Sequence, residues 1–243
     1  MAELVWISGA SSGIGRALVD SLPWPGARVI GISRRPVAGI EHLGLDLADP
    51  ASWDRLADSF TTELATFHGD RVVFIHAAGT LSPMGFAGEV ATPAYLANVL
   101  LNSASPQVLG HLFLSAVASS PARRHLVMIT SGAARSVYPG WSSYGAAKAA
   151  VDQWVRNVGA EQHSRHGDQG VQVMAVAPGT VDTDMQALIR QTDEEQFPQR
   201  QKFLDLYAAA KLASPDEVAQ KMWRLLDVGL DNGSVIDLRD LPS

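Results

Sequence analysis

The chain of 243 residues contains no cysteine, which excludes disulfides and thiol catalysis. It has no apolar run approaching the ~20 residues that a membrane helix needs, so no membrane span is expected. The first strand-like run begins at Leu4 and leaves no room for a signal peptide, so a cytoplasmic location is expected. Basic charge is in the minority. Lys and Arg number 19 against 25 Asp and Glu, giving a net charge of −6 and a pI near 5.6. That balance argues against a nucleic-acid surface. The seven histidines form no pair at a convincing metal-ligand spacing. His163 and His166 come closest, but the Gly-Asp-Gln-Gly that follows reads as a solvated turn, and no metal is expected. Linkers, repeats and low-complexity tracts are also missing. The length suits one domain, residues 1–243, with a full core.

What is present is an alternation of apolar runs and helical stretches. Strands are expected at Leu4–Ile7, Arg28–Ile32, His42–Leu45, Val72–His76, His125–Thr130, Gln172–Ala177 and Ser234–Leu238. Helices are expected at Ser52–Thr66, Tyr95–Ser119, Tyr144–Gln162 and Pro215–Leu226. The last opens on Ser214-Pro-Asp-Glu217, a capping box with Pro at the first helical position. This order predicts an α/β fold with a doubly wound, mostly parallel seven-stranded sheet and helices on both faces. Residues 183–212 differ: they are charged and Gln-rich, with Pro198 as a breaker. Short helices forming a lid over a substrate are expected there.

Two constellations carry chemistry. The first follows the opening strand: Gly9-Ala-Ser-Ser-Gly13-Ile-Gly15 leads into a helix marked by Ile14, Leu18 and Val19. Glycines there let the backbone turn and approach a pyrophosphate at the helix N-terminus. The spacing is Gly-x-x-x-Gly-x-Gly, not the Gly-x-Gly-x-x-Gly of the general dinucleotide fingerprint. The second is Ser131 with Tyr144-Gly-Ala-Ala-Lys148. A separation of four places phenol and ammonium on one helix face. A phenol has a free pKa near ~10, and a nearby cation lowers it. With a serine hydroxyl beside it, the set can protonate a carbonyl oxygen as hydride reaches the carbon. Tyr138, Tyr95 and Tyr207 lack this context.

Together these motifs resemble the short-chain dehydrogenase/reductases, in their branch of about 250 residues, over nearly the whole chain. The resemblance implies a Rossmann fold and an NAD(P)-dependent enzyme acting on CH–OH or C=O groups. It assigns Ser131, Tyr144 and Lys148 to catalysis, and Asn102 to anchoring a proton-relay water. It also assigns Lys148 to the nicotinamide ribose. Gly9, Ser11, Ser12, Gly13, Ile14 and Gly15 then face the cofactor. Asp46 and Leu47 would hold the adenine. Ala78 and Gly79 would continue the cofactor site, with Ala77 where the family has Asn, at the cost of a structural hydrogen bond. Pro178, Gly179, Val181 and Thr183 would bind the carboxamide.

After the second strand comes Ile32-Ser33-Arg34-Arg35-Pro36, with no acid to bind a ribose 2′-hydroxyl. Arg34 and Arg35 can grip a 2′-phosphate, Arg34 the better placed, so NADP (NADPH) is the expected cofactor. Arg16 either helps or is a surface residue. The tail Gly233–Ser243 and Asn102-Ser-Ala-Ser-Pro106 resemble the sepiapterin reductase and benzil reductase subgroup. That implies a carbonyl reductase with Trp141 and Met185 near the substrate. Asp237 falls where sepiapterin reductases anchor the pterin, or else it only satisfies loop amides. Two substrate readings stay open, a vicinal diketone and a pterin. A third reading is a regulatory NADP-binding protein without turnover. Apolar excess on the helices around Leu96–Phe113 and Val151–Val155 implies a homodimer or homotetramer, as in relatives.

Overall fold

The computed structural model describes residues 2–241. Seven strands form one sheet in the order β3-β2-β1-β4-β5-β6-β7, and every ladder is parallel. They are β1 (Glu3–Ser8), β2 (Arg28–Ser33), β3 (Glu41–Gly44), β4 (Arg71–His76), β5 (Arg123–Ile129), β6 (Gln172–Ala177) and β7 (Ser234–Asp237). Central strands of a parallel sheet are covered on both faces, so they read as continuous apolar runs. Successive side chains then feed opposite faces. In β1, Leu4 and Trp6 join one core and Val5 and Ile7 the other.

Helices α1 (Gly13–Asp20) and α8 (Pro215–Leu225) cover the face of Val5 and Ile7. Helices α2 (Trp53–Thr66), α4 (Ser105–Ala116) and α5 (Ser142–His166) cover the other. There Trp6, Phe60, Phe74 and Phe113 meet edge-on, with Trp6 and Phe60 centroids 5.1 Å apart. Such aromatic contacts add ~0.5–1.5 kcal/mol each beyond their burial. Gly110 is required on α4, because a Cβ there would lie 2.5 Å from the Trp154 ring of α5. The expected capping box starts α8: Ser214 Oγ accepts from Glu217 N, and Glu217 accepts from Ser214 N.

The stretch expected as one helix from Tyr95 to Ser119 is divided. Helix α3 (Thr92–Val99) passes through a π-helical segment, Leu100–Ala104, into α4. Pro106 contributes to the break, since it has no N–H to return to the Asn102 carbonyl four residues earlier. Residues 184–208 form α6 (Asp184–Gln191) and α7 (Arg200–Ala208), with Pro198 between them. They close a third, smaller core of Phe197, Phe203 and Ile189 against Trp141 and Tyr144. Among the described residues, no helix is long and apolar enough to cross a membrane.

Candidate active site

Because the strands are parallel, their C-terminal ends share one edge, and the order reverses between β1 and β4. Ligands of open α/β sheets bind at such a switch point. A cleft of about 540 Å³ opens there. Gly9, Ser12, Gly13, Ile14, Gly15, Ala78, Gly79, Ser131, Tyr144, Lys148, Pro178, Gly179, Val181 and Thr183 all line it, with Trp141 and Met185.

The glycine turn is shaped by close approach. Gly9 has φ +69°, and a Cβ on it would stand 2.9 Å from Ala78 N. A Cβ on Gly15 would stand 2.3 Å from the Gly9 carbonyl oxygen. At the start of α1, the Ser12 side chain makes no cap hydrogen bond and the first turn carries no acid. The N–H groups of that turn are therefore free to meet an anion. This cradle fits a dinucleotide pyrophosphate. Ser11 sits half-buried in the same loop. Arg16 is engaged elsewhere, in an exposed pair with Asp20 at 2.7 Å.

Ser8 braces the turn at Ala77. Its hydroxyl accepts from both Ala77 N and Ala78 N at 3.0 Å, tying β1 to the end of β4. Asn102 holds the next turn. Its Oδ1 accepts from Thr80 N at 3.0 Å and its Nδ2 donates to Thr80 O at 2.8 Å. Asn98, one turn earlier, donates to Ser82 O at 2.9 Å. Asn102 does not line the cleft, but its side chain fixes the loop beside Gly79. Asn98 escaped the sequence reading, although its spacing of four from Asn102 placed both amides on one face.

Ser131 follows β5, and its Oγ accepts from Ala133 N at 3.2 Å. Tyr144 lies in the first turn of α5, and Lys148 lies one turn on; both are buried. Lys148 Nζ donates to Ile129 O at 2.8 Å and stands 5.7 Å from the Tyr144 ring centroid. Burial pushes the Tyr144 phenol above its ordinary range, with a hydrogen bond to Ser131 partly opposing it. Burial thus acts opposite to the lowering expected from Lys148 and favours the protonated phenol. The Lys148 ammonium is pushed down to about 8 by burial, while Asp152, one further turn along α5, opposes the drop. His76 at the end of β4 is pushed down to about 3 by burial and by Lys148, and its Nε2 pairs with Ser105 Oγ at 2.8 Å.

A pH dependence follows. Tyr144 stays protonated through the neutral range, and His76 stays neutral. Reduction should therefore lose kcat/KM on the alkaline side, as Lys148 loses its charge near 8. Removing the Asp152 charge should lower the Lys148 pKa further, so Asp152→Asn should move that limb to lower pH. A limb unmoved in the variant, measured as a kcat/KM profile, would contradict the assignment to Lys148.

Arg34 and Arg35 stand exposed just after β2, and no carboxylate pairs with either among the described residues. Asp46 is exposed after β3, where its Oδ1 accepts from Ala48 N at 3.0 Å, and Leu47 beside it is buried. All four lie beyond the cleft lining, on the side of β2 and β3. Asp237 at the end of β7 is buried and does not line the cleft. Its Oδ1 accepts from Arg239 N and Nε, at 3.1 and 2.9 Å, and its Oδ2 from Arg239 Nη2 at 2.6 Å. Arg135 stands 3.5 Å away. It is Arg239 that reaches the cleft, with Lys202, Phe203 and Tyr138. No group of His, Asp and Glu side chains fit to hold a metal occurs among the described residues.

Residues 3–194 match the short chain dehydrogenase family. The chain belongs to that family. Its members are oxidoreductases that use NAD(P), which agrees with the cradle at Gly9–Gly15. A benzil reductase ((S)-benzoin forming) of Bacillus subtilis is 32% identical over 98% of this chain and 99% of its own. The sepiapterin reductase of Mus musculus is 33% identical, over 96% and 95%. The crystal structure of a short-chain dehydrogenase/reductase from Saccharomyces cerevisiae superposes with a TM-score of 0.83 at 24% identity, covering 98% of this chain and 96% of that one. It shares the fold.

Proposed function

We propose that this oxidoreductase is an NADPH-dependent carbonyl reductase of the cytoplasm that acts on a small ketone, with vicinal dicarbonyls the favoured class. The observation that carries the reading is Ser131, Tyr144 and Lys148 on one wall of a cleft that also holds the glycine cradle. Reduced nicotinamide, when bound, supplies hydride. The chain supplies the rest. Gly9–Gly15 and the open N-terminus of α1 hold the pyrophosphate. Arg34 and Arg35 hold the 2′-phosphate, and Asp46 and Leu47 the adenine. Pro178, Gly179, Val181 and Thr183 hold the carboxamide, and Lys148 the nicotinamide ribose. Ser131 and Tyr144 donate hydrogen bonds to the ketone oxygen, and Tyr144 transfers its proton to that oxygen. The Asn102 carbonyl, without its helical donor, holds the water that returns the proton. Residues 183–212 act as the lid that excludes bulk water from the reacting oxygen. Consumption of NADPH with a panel of diketones, pterins, quinones and simple ketones tests the reading.

The diketone class draws support from the relative in Bacillus subtilis and from the state of Asp237. A pterin presents ring N–H donors that need an acceptor, and Arg239 already occupies the Asp237 carboxylate.

Assembly is part of the same proposal: a homodimer or homotetramer through α3, α4 and α5. Leu109, Phe113, Val151 and Val155 are consumed by the core, whereas Leu96 is 55% exposed and Val108 36%. Leu100, Leu101, Leu112 and Trp154 are half-buried. Light scattering at micromolar concentration should report two or four chains; monomer alone would refute it.

A further inference from the structure

The substrate end of the cleft is rich in donors and poor in free acceptors. Trp141, Tyr138 and Phe203 form an aromatic wall there, with Trp141 and Tyr138 centroids 4.8 Å apart. Lys202 lines it and donates to Tyr138 Oη at 2.8 Å, with no carboxylate partner among the described residues. Trp141 Nε1 in that wall and Gln186 Nε2 on another lining residue are buried donors without a partner among the described residues. Asp184 is the one lining acid, and it follows Thr183, which packs against Gly13 on the nucleotide side.

Arg239 completes this end. Its side chain crosses Gly179, where a Cβ would meet Arg239 Cγ and Cδ at 3.2 Å, and reaches toward Gly132, where one would stand 3.6 Å from Nη2. It thus bridges the loop of Ser131 and the loop of Pro178. Asp237 holds it through Nε and Nη2 as a two-pronged pair, a geometry that fixes the guanidinium plane. Nη1 has no partner among the described residues, and its N–H groups remain available.

We propose that Arg239, clamped by Asp237, is a specificity-determining residue whose free guanidinium edge donates to an acceptor oxygen on the carbon next to the reacting ketone. This rests on the carbonyl reductase reading. The adjacent oxygen belongs to a second ketone or to a carboxylate, and a monoketone has no such oxygen. Asp237 then shapes specificity without touching the substrate, as the group that positions Arg239.

Matched substrates test it: benzil against deoxybenzoin, and phenylglyoxylate against acetophenone, each with NADPH. Arg239→Gln alone would leave the buried Asp237 carboxylate with the backbone N–H of residue 239 and Arg135 at 3.5 Å, so the decisive variant is Asp237→Asn with Arg239→Gln. Arg239→Lys keeps the Asp237 pair, and thermal melting reports whether the fold survives. The double variant should lose about tenfold to a hundredfold in kcat/KM with benzil or phenylglyoxylate, mostly through KM, the size expected for a charged hydrogen bond. Deoxybenzoin and acetophenone should change little, and Arg239→Lys should retain part of the discrimination. The larger loss, with diketone or keto acid, names the oxygen's source. Equal losses for both members of each pair, or no loss in either variant, would overturn the proposal while leaving the reductase reading intact. A wild-type protein that reduces none of the four would remove that reading and the proposal with it.

Discussion

Tyr144→Phe is expected to bind NADPH nearly as the wild type does and to lose about 10²- to 10⁴-fold in kcat, the usual contribution of a positioned proton donor. The phenol is buried, and its ring meets Trp141 edge-on at 5.7 Å, so the Phe ring should keep the packing while only the hydroxyl is lost. Titration of cofactor fluorescence and single-turnover reduction separate the two effects. Turnover near the wild-type level in that variant would remove Tyr144 from the reaction.

The second large effect concerns the choice of cofactor. NADPH should exceed NADH by at least tenfold in kcat/KM, or ~1.4 kcal/mol. At the end of β2, where an acid would instead favour a ribose hydroxyl, Arg34 and Arg35 are exposed and pair with no carboxylate among the described residues. Guanidinium groups at that position bind a 2′-phosphate by charge-assisted contacts. Replacing both with Gln should erase most of the preference, chiefly by raising KM for NADPH. Equal efficiency with both cofactors in the native protein would refute the role given to this pair.

The sheet was legible because parallel strands, buried on both faces, leave short apolar runs that turn residues punctuate. All seven appear within one or two residues of their expected limits. The cleft was legible for a related reason. Its main groups lie directly after strand ends or in the first turns of helices, so local motifs located them. What escaped was set by contacts between distant segments. The stacking of Phe197 on Trp141, with centroids 4.6 Å apart, joins the segment between α6 and α7 to the start of α5, and nothing local announces it. The contact of Ser8 with the backbone amides of Ala77 and Ala78 on the neighbouring strand was another such long-range link. The π-helical break at Asn102 had one signal, Pro106 four residues on. Arg239 escaped as well, because it meets Asp237 across the turn that follows β7, where Asp240 N donates to Asp237 O at 3.0 Å.

The reading of Tyr144 changed in its physics. A cation one helical turn away was expected to lower the phenol, but burial raises it and lowers the lysine too. The same burial thus favours the protonated phenol at Tyr144 and the uncharged amine at Lys148.

The most direct test is to follow NADPH absorbance while the purified protein meets a diketone such as benzil, with the product identified by chiral chromatography. Steady consumption of NADPH and formation of one hydroxyketone are expected, both lost in Tyr144→Phe. Tight NADPH binding with no consumption across diketones, pterins, quinones and simple ketones would contradict that expectation, and would identify a cofactor-binding protein without turnover.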